Sequence, residues 1–241
     1  MPSRTLLTGA SLADAVLLSH TEGGRAWPVL VWAPGPGVRM VSSAVLGGGI
    51  GPRAWVLNAQ VPPGYGRLDP VAHLRELAAG AGLEGPGVGL MTAAPVSDLR
   101  HAEDGGVRAV VTAGIGVRGW AAAPGAGGVA VPRPGTINII VSLPVPLTDA
   151  ALVNAVATAT EAKVQALVEL GAGASGTPTD AVCVAAPTAL DTAPDTAPDN
   201  TTGTGPEPFA GPRSLWGARL ARAVHAATRA ACADALAVRR S

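Results

Sequence analysis

Lysine is nearly absent from this 241-residue chain: Lys163 is the only one, beside sixteen arginines. Charge of either sign is scarce, 14% of residues, and the formal net charge is zero. That excludes the basic footprint needed to hold nucleic acid or an anionic membrane surface, and it favours a compact small-molecule site. Aromatic residues make up only 3%, while Gly (32) and Pro (22) are abundant, so close backbone packing and many turns replace a large aromatic core. The two cysteines, Cys183 and Cys232, sit in apolar contexts without metal-ligand spacing and are expected as buried free thiols. In the N-terminal stretch TLLTGASLADAVLLSH, Asp14 interrupts the apolar run and no small-residue cleavage site follows. Neither a signal peptide nor a membrane span is expected, and the predicted location is cytoplasmic.

The length suits one large domain covering residues 1–241. PVLVW (28–32), VRMVSSAV (38–45) and AWVLNAQV (54–61) read as strands separated by the turn signals APGPG and GGGIGP, and an antiparallel meander is expected. Asp69 and Pro70 form a cap and first helical position for a helix ending near Gly80 or Gly82. VGLMTA, VRAVVTAGI and TINIIVSL are apolar enough to be strands buried on both faces. The longest helix runs over 149–170, with Thr148 as cap and Gly171 as stop, followed by the strand DAVCVAA (180–186). Residues 187–212, with the repeat DTAPDTAP, lack core-forming side chains and are expected to be a mobile excursion. A last helix over 213–238 carries an apolar stripe of Trp216, Leu220, Val224, Ala227 and Ala231, with Arg219, Arg222 and Arg229 opposite. This order predicts a mixed α/β fold, a largely β-sheet core layered with helices.

No phosphate-binding loop, paired-histidine zinc helix, nucleophile elbow or cysteine-pair site is present. His20, His73, His101 and His225 are scattered and read mostly as surface residues, His73 being a minor candidate for a direct role. Gly48 and Gly49, within GGGI, either form a hairpin turn or let backbone approach a ligand. Asn138 is polar inside an apolar strand and needs a hydrogen-bond partner, structural or ligand. Thr177, Thr179 and Asp180 precede a buried strand, where they are either turn formers or substrate contacts. On the long helix Asn154, Thr158, Glu161 and Gln165 share one face. Lys163 falls about 200° from Glu161, among Leu152, Val156, Ala159, Leu167 and Leu170. Its ammonium either snorkels to water or is desolvated and paired with a carboxylate from elsewhere, such as Asp180.

The blocks SSAVLGGGI, WVLNAQVPPGY, DPVAHL, VGLMTAA, VVTAGI, GTINIIV, ALVNAVATATEAKVQAL and GTPTDAVCVA occur in that order and fade into AGPRSLWGARLARAV. In these the chain resembles the CbiZ-type adenosylcobinamide amidohydrolase family from about residue 42 onward. It departs from the pattern in VTAGIGVRGW, which lacks an asparagine after T-x-G, and at Pro178, where glycine is usual. The resemblance implies hydrolysis of the amide joining the aminopropanol arm to the corrin ring of adenosylcobinamide. The partner is then a corrinoid substrate, and no cofactor is required because cobalt enters within that substrate. On this resemblance the expected catalytic residues are Glu161 or Asp180 to activate water, and Lys163 or backbone N–H groups at a glycine turn to stabilise the oxyanion. Asn58, Asn138 and Thr179 orient the corrinoid, with Gly48, Gly49, Thr92, Asn154, Thr158 and Thr177 as further contacts. A threonine nucleophile, Thr92 or Thr112, is the competing chemistry. A non-catalytic corrinoid-binding protein for uptake or delivery is the alternative function, and the oligomeric state is open.

Overall fold

A computed structural model of the chain describes residues 9–124, 135–188 and 205–237. The strands are β1 (Val16–Glu22), β2 (Arg25–Trp32), β3 (Val38–Ser42), β4 (Gly49–Pro52), β5 (Trp55–Gln60), β6 (Gly87–Thr92), β7 (Arg100–Asp104), β8 (Val107–Gly114), β9 (Thr136–Ser142) and β10 (Ala181–Pro187). The helices are α1 (Pro70–Gly80), α2 (Asp149–Glu169) and α3 (Leu215–Ala237). Asp69 caps α1 by accepting from the Ala72 N–H, and Thr148 caps α2 by accepting from the Ala151 N–H.

Two sheets form, with strand orders β1-β2-β5-β6 and β4-β3-β10-β9-β8-β7. The period of two along each strand sorts their side chains into layers. Leu30, Trp32, Val56, Val88 and Leu90 of the first sheet meet Met40, Val110, Ile140, Cys183 and Ala185 of the second in a core between the sheets. The alternate residues Val29, Val31, Trp55 and Leu57 face outward onto Leu74 and Ala78 of α1. The outer face of the second sheet, with Val107, Val111, Ile137, Ile139, Val182 and Val184, packs beneath α2 and α3. The architecture is thus a mixed α/β sandwich of four layers: helix, sheet, sheet, helix pair.

The expected meander does not form. β2 and β3 lie in different sheets, because Pro34 and Pro36 alternate with Gly35 and Gly37, both at φ 87°, and this segment carries the chain from one sheet to the other. GGGIGP is not only a turn, since its last four residues are the edge strand β4. Gly48 and Gly49 serve that hairpin: a Cβ on Gly48 would lie 2.6 Å from the Ala44 carbonyl oxygen, and Gly49 takes φ 82°.

Part of the expected 187–212 excursion, residues 189–204, lies outside the described residues. Its end is anchored. The Glu207 N–H donates to the Pro146 carbonyl at 2.9 Å, and Ala210 is fully buried. Thr158 donates to the Ala210 carbonyl at 2.8 Å, while the Ala210 N–H donates to Asn154 at 3.3 Å. Asn154 and Thr158 therefore bind the chain's own segment leading into α3. Thr158→Val should leave that carbonyl unpaired and lower stability by about 1–3 kcal/mol, read from the urea midpoint at unchanged slope.

Candidate active site

Between the two sheets, at one end, lies a cavity of about 600 Å³. Its walls come from the ends of β3, β5 and β6 (Ser43, Val61, Thr92) and the beginnings of β9 and β10 (Thr136, Asn138, Asp180). Pro62, Pro63, Tyr65 and Arg67 of the loop before α1 complete the rim.

Strand parity puts several polar residues into the layer between the sheets. Asn58 of β5, Thr112 of β8 and Asn138 of β9 are each about 1% exposed. Asn138 Nδ2 donates to Asn58 Oδ1 at 2.8 Å and to the Met91 carbonyl at 3.1 Å, and Asn58 Nδ2 donates to Thr112 Oγ1 at 3.0 Å. Two acceptors around Asn138 Nδ2 settle which way that amide faces. Its own Oδ1 is buried without a partner. Leaving a buried acceptor unmet costs about 1–3 kcal/mol, and Asn138 is one of the residues of the cavity wall. Beside it Thr179 Oγ1 donates to the Gly135 carbonyl at 2.9 Å, so the 2.6 Å contact between the Thr136 and Thr179 hydroxyls has Thr136 as donor. The Thr136 oxygen then retains lone pairs for the cavity. Thr92, 2% exposed, accepts from the Ala94 N–H at 3.0 Å.

Asp180 is the most heavily bonded side chain of the site. Its Oδ1 accepts from the Ile137 N–H at 2.8 Å and from the Thr177 hydroxyl. Its Oδ2 accepts from the Thr177 N–H at 3.1 Å and from Lys163 Nζ at 2.5 Å. The side chains of Lys163 and Asp180 are only 9% and 13% exposed. Backbone closes over them at Gly176, where a Cβ would stand 2.6 Å from Asp180 Oδ2 and 2.7 Å from Lys163 Nζ. The four bonds occupy the four lone-pair sites of the carboxylate, so Asp180 is an anchor without room to take a proton from water. Lys163 stands behind it and does not line the cavity.

Thr92, Asn138, Thr179 and Asp180 thus meet at the cavity. Asn58 joins through Asn138, and Lys163 and Thr177 join through Asp180. Glu161 does not. It is exposed on the face of α2 about 200° from Lys163, pointing away from the sheet that Lys163 faces. Gly48, Gly49, Asn154 and Thr158 are likewise absent from the cavity wall, because they serve the β4 hairpin and the segment at Ala210. Among the described residues neither threonine considered as a nucleophile has a base beside it: Thr92 accepts from backbone and Thr112 from Asn58. Cys183 and Cys232 are buried free thiols, and burial pushes each up to about 12, which keeps them protonated.

The histidines are not all at the surface. His73 is 1% exposed, its Nδ1 is 3.0 Å from the Tyr65 hydroxyl, and its Nε2 is 3.7 Å from Glu22 Oε2. The Tyr65 and His73 rings stack with centroids 5.6 Å apart, and the half-buried His20 ring meets His73 edge-on at 5.7 Å. Arg67 grips Glu22 with Nε to Oε1 at 3.0 Å and Nη2 to Oε2 at 2.6 Å, and reaches Glu76 at 2.8 Å. Those bonds hold the Glu22 carboxyl below the usual range. Burial, and after it the Arg67 charge, keep the His73 imidazole below its ordinary value. Among the described residues no group of three or more His, Cys, Asp or Glu could hold a metal ion. Ser43, Tyr65, Arg67 and Thr136 are polar cavity residues that sequence reasoning passed over. The signal for Tyr65 was its uniqueness: it is the chain's only tyrosine.

A concave cavity between two sheets, lined mostly by apolar side chains with the amide of Asn138 and several hydroxyls among them and backed by a shielded ion pair, defines a mixed α/β protein with a site for a small molecule. The chain belongs to the adenosylcobinamide amidohydrolase family, whose pattern it matches over residues 13–240. It is similar to the adenosylcobinamide amidohydrolase of Methanosarcina mazei, with 34% identity over 182 residues that cover 76% of this chain and 84% of the relative. Among the described residues no helix is long and apolar enough to cross a membrane.

Lys163→Met should cost about 3 kcal/mol in urea unfolding by stranding a buried carboxylate, and adding Asp180→Asn should restore part of the loss. A Lys163→Met midpoint equal to the wild type would return the ammonium to a solvated role.

Proposed function

We propose that this protein hydrolyses the amide joining the aminopropanol arm to the corrin ring of adenosylcobinamide. The products are adenosylcobyric acid and 1-amino-2-propanol, and the reaction serves corrinoid salvage for cobalamin synthesis. The observation that carries the reading, beyond family membership, is a cavity of about 600 Å³ that is mostly apolar, has Asn138, Thr92, Thr136 and Thr179 in its wall, and has both of its charged lining groups, Arg67 and Asp180, ion-paired. A corrinoid presents amide N–H donors around a neutral rim, and Asn138 with the Thr136 oxygen offers acceptors to match. The cavity takes the aminopropanol arm and the adjoining ring edge, and the rest of the macrocycle lies across its mouth.

In this reading the Lys163–Asp180 pair positions rather than reacts. Asp180 ties the start of β9, through the Ile137 N–H, to the turn carrying Thr177 and Thr179, and so sets the spacing of Thr136 and Asn138 at the substrate. Lys163 neutralises Asp180 in a place that little water reaches. This replaces water activation by Glu161 or Asp180.

Pure protein incubated with adenosylcobinamide should release 1-amino-2-propanol and yield a new carboxylate detected by mass. A spectral change on binding, with the amide intact after prolonged incubation, would instead make it a corrinoid-binding protein.

A further inference from the structure

Amide hydrolysis needs a group that takes a proton from the attacking water and returns one to the leaving amine. Asp180 is saturated and Glu161 is elsewhere, which leaves that role to another side chain of the cavity. We propose that Tyr65 is the catalytic acid and base of this site, and that His73, oriented by Glu22, is the positioning residue that exchanges a proton with it. This deepens the reading above and rests on it.

The charge beside His73 sets the direction of its hydrogen bond with Tyr65. Glu22 Oε2, 3.7 Å from His73 Nε2, favours the ring proton at that nitrogen. Nδ1 is then bare and accepts from the Tyr65 hydroxyl at 3.0 Å. Ring stacking holds the phenol against the imidazole, and Tyr65 lines the cavity. At rest both partners are neutral, since burial pushes the phenol up and the imidazole down.

In the first half of the reaction water attacks the amide carbon, forming the C–O bond, and the carbonyl π pair moves onto oxygen. The water proton goes to Tyr65 Oη as the phenol proton passes to His73 Nδ1. On collapse the C–N bond breaks and its electron pair stays on nitrogen. That nitrogen takes the proton from Tyr65 Oη, and the imidazolium returns its own to the phenolate. The relay ends as it began, and the acid and amine exchange their last proton in solution.

The groups facing His73 are Glu22 and His20 of β1, Tyr65 and Arg67 of the loop before α1, and Glu76 of α1. His73 must be neutral to accept, so wild-type kcat/KM should fall on the acid side as pH drops through a pKa below the ordinary histidine value. Tyr65→Phe keeps the stacked ring and should lower kcat at least about 100-fold with little change in KM, and its residual rate should lose the acid limb. His73→Gln should lose the same limb. Glu22→Gln, which removes a charge that favours the imidazolium and leaves Arg67 with Glu76 as its remaining carboxylate, should move the limb to lower pH even if His73→Gln does not fold. A Tyr65→Phe rate within about threefold of wild type, or an acid limb unmoved in both Tyr65→Phe and Glu22→Gln, overturns the relay. Absence of product from the wild type instead overturns the amidohydrolase reading on which the relay rests.

Discussion

The ion pair between Lys163 and Asp180 is the constraint on which the site depends. It joins the middle of α2 to the residue just ahead of β10, and through the Ile137 N–H it reaches β9 as well. A desolvated carboxylate is held by the donors around it, and here it has four, Lys163 among them. The glycine at 176 is part of that solution, because any side chain there would occupy the space of the pair. Asn138 and Thr136 lie on the strand that this carboxylate grips. Their position is thus held by an interaction whose cationic half, Lys163, lies behind the cavity wall.

The second constraint is parity. β5, β8 and β9 turn Asn58, Thr112 and Asn138 into a layer otherwise filled largely by Leu, Val and Ile, and the three bond each other across the two sheets. A polar bridge of this kind fixes register, since a slip of one residue in any of these strands would send its amide or hydroxyl into an outer helix layer. It also leaves one acceptor over. Asn138 Oδ1 is that remainder, and its residue lines the cavity between the sheets.

Much of the frame could be read from the residues. Strands buried on both faces announce themselves as apolar runs, and both helix caps stand where Asp69 and Thr148 predict them. The helical wheel put Lys163 on the apolar side and offered Asp180 as its partner, and the two are in contact. The wheel could not tell what the polar stripe meets. Asn154 and Thr158 face the returning segment at Ala210, while Glu161, one turn further, faces solvent. The strands β1 and β7 escaped notice because they are sheet edges with many side chains in water, which erases the apolar alternation. With β1 missing, Glu22 had no place, and the contact of His73 with a residue so far along the chain left no trace in local spacing.

A chain with one lysine, buried at 8% exposure behind a glycine, has an unusual chemical surface. Every described basic side chain that meets solvent is a guanidinium or an imidazole. Activated acyl groups, which modify exposed side-chain amines, find none on the folded protein. Lys163 becomes reactive only when α2 separates from β10, so acylation at that one residue is a chemical record of unfolding.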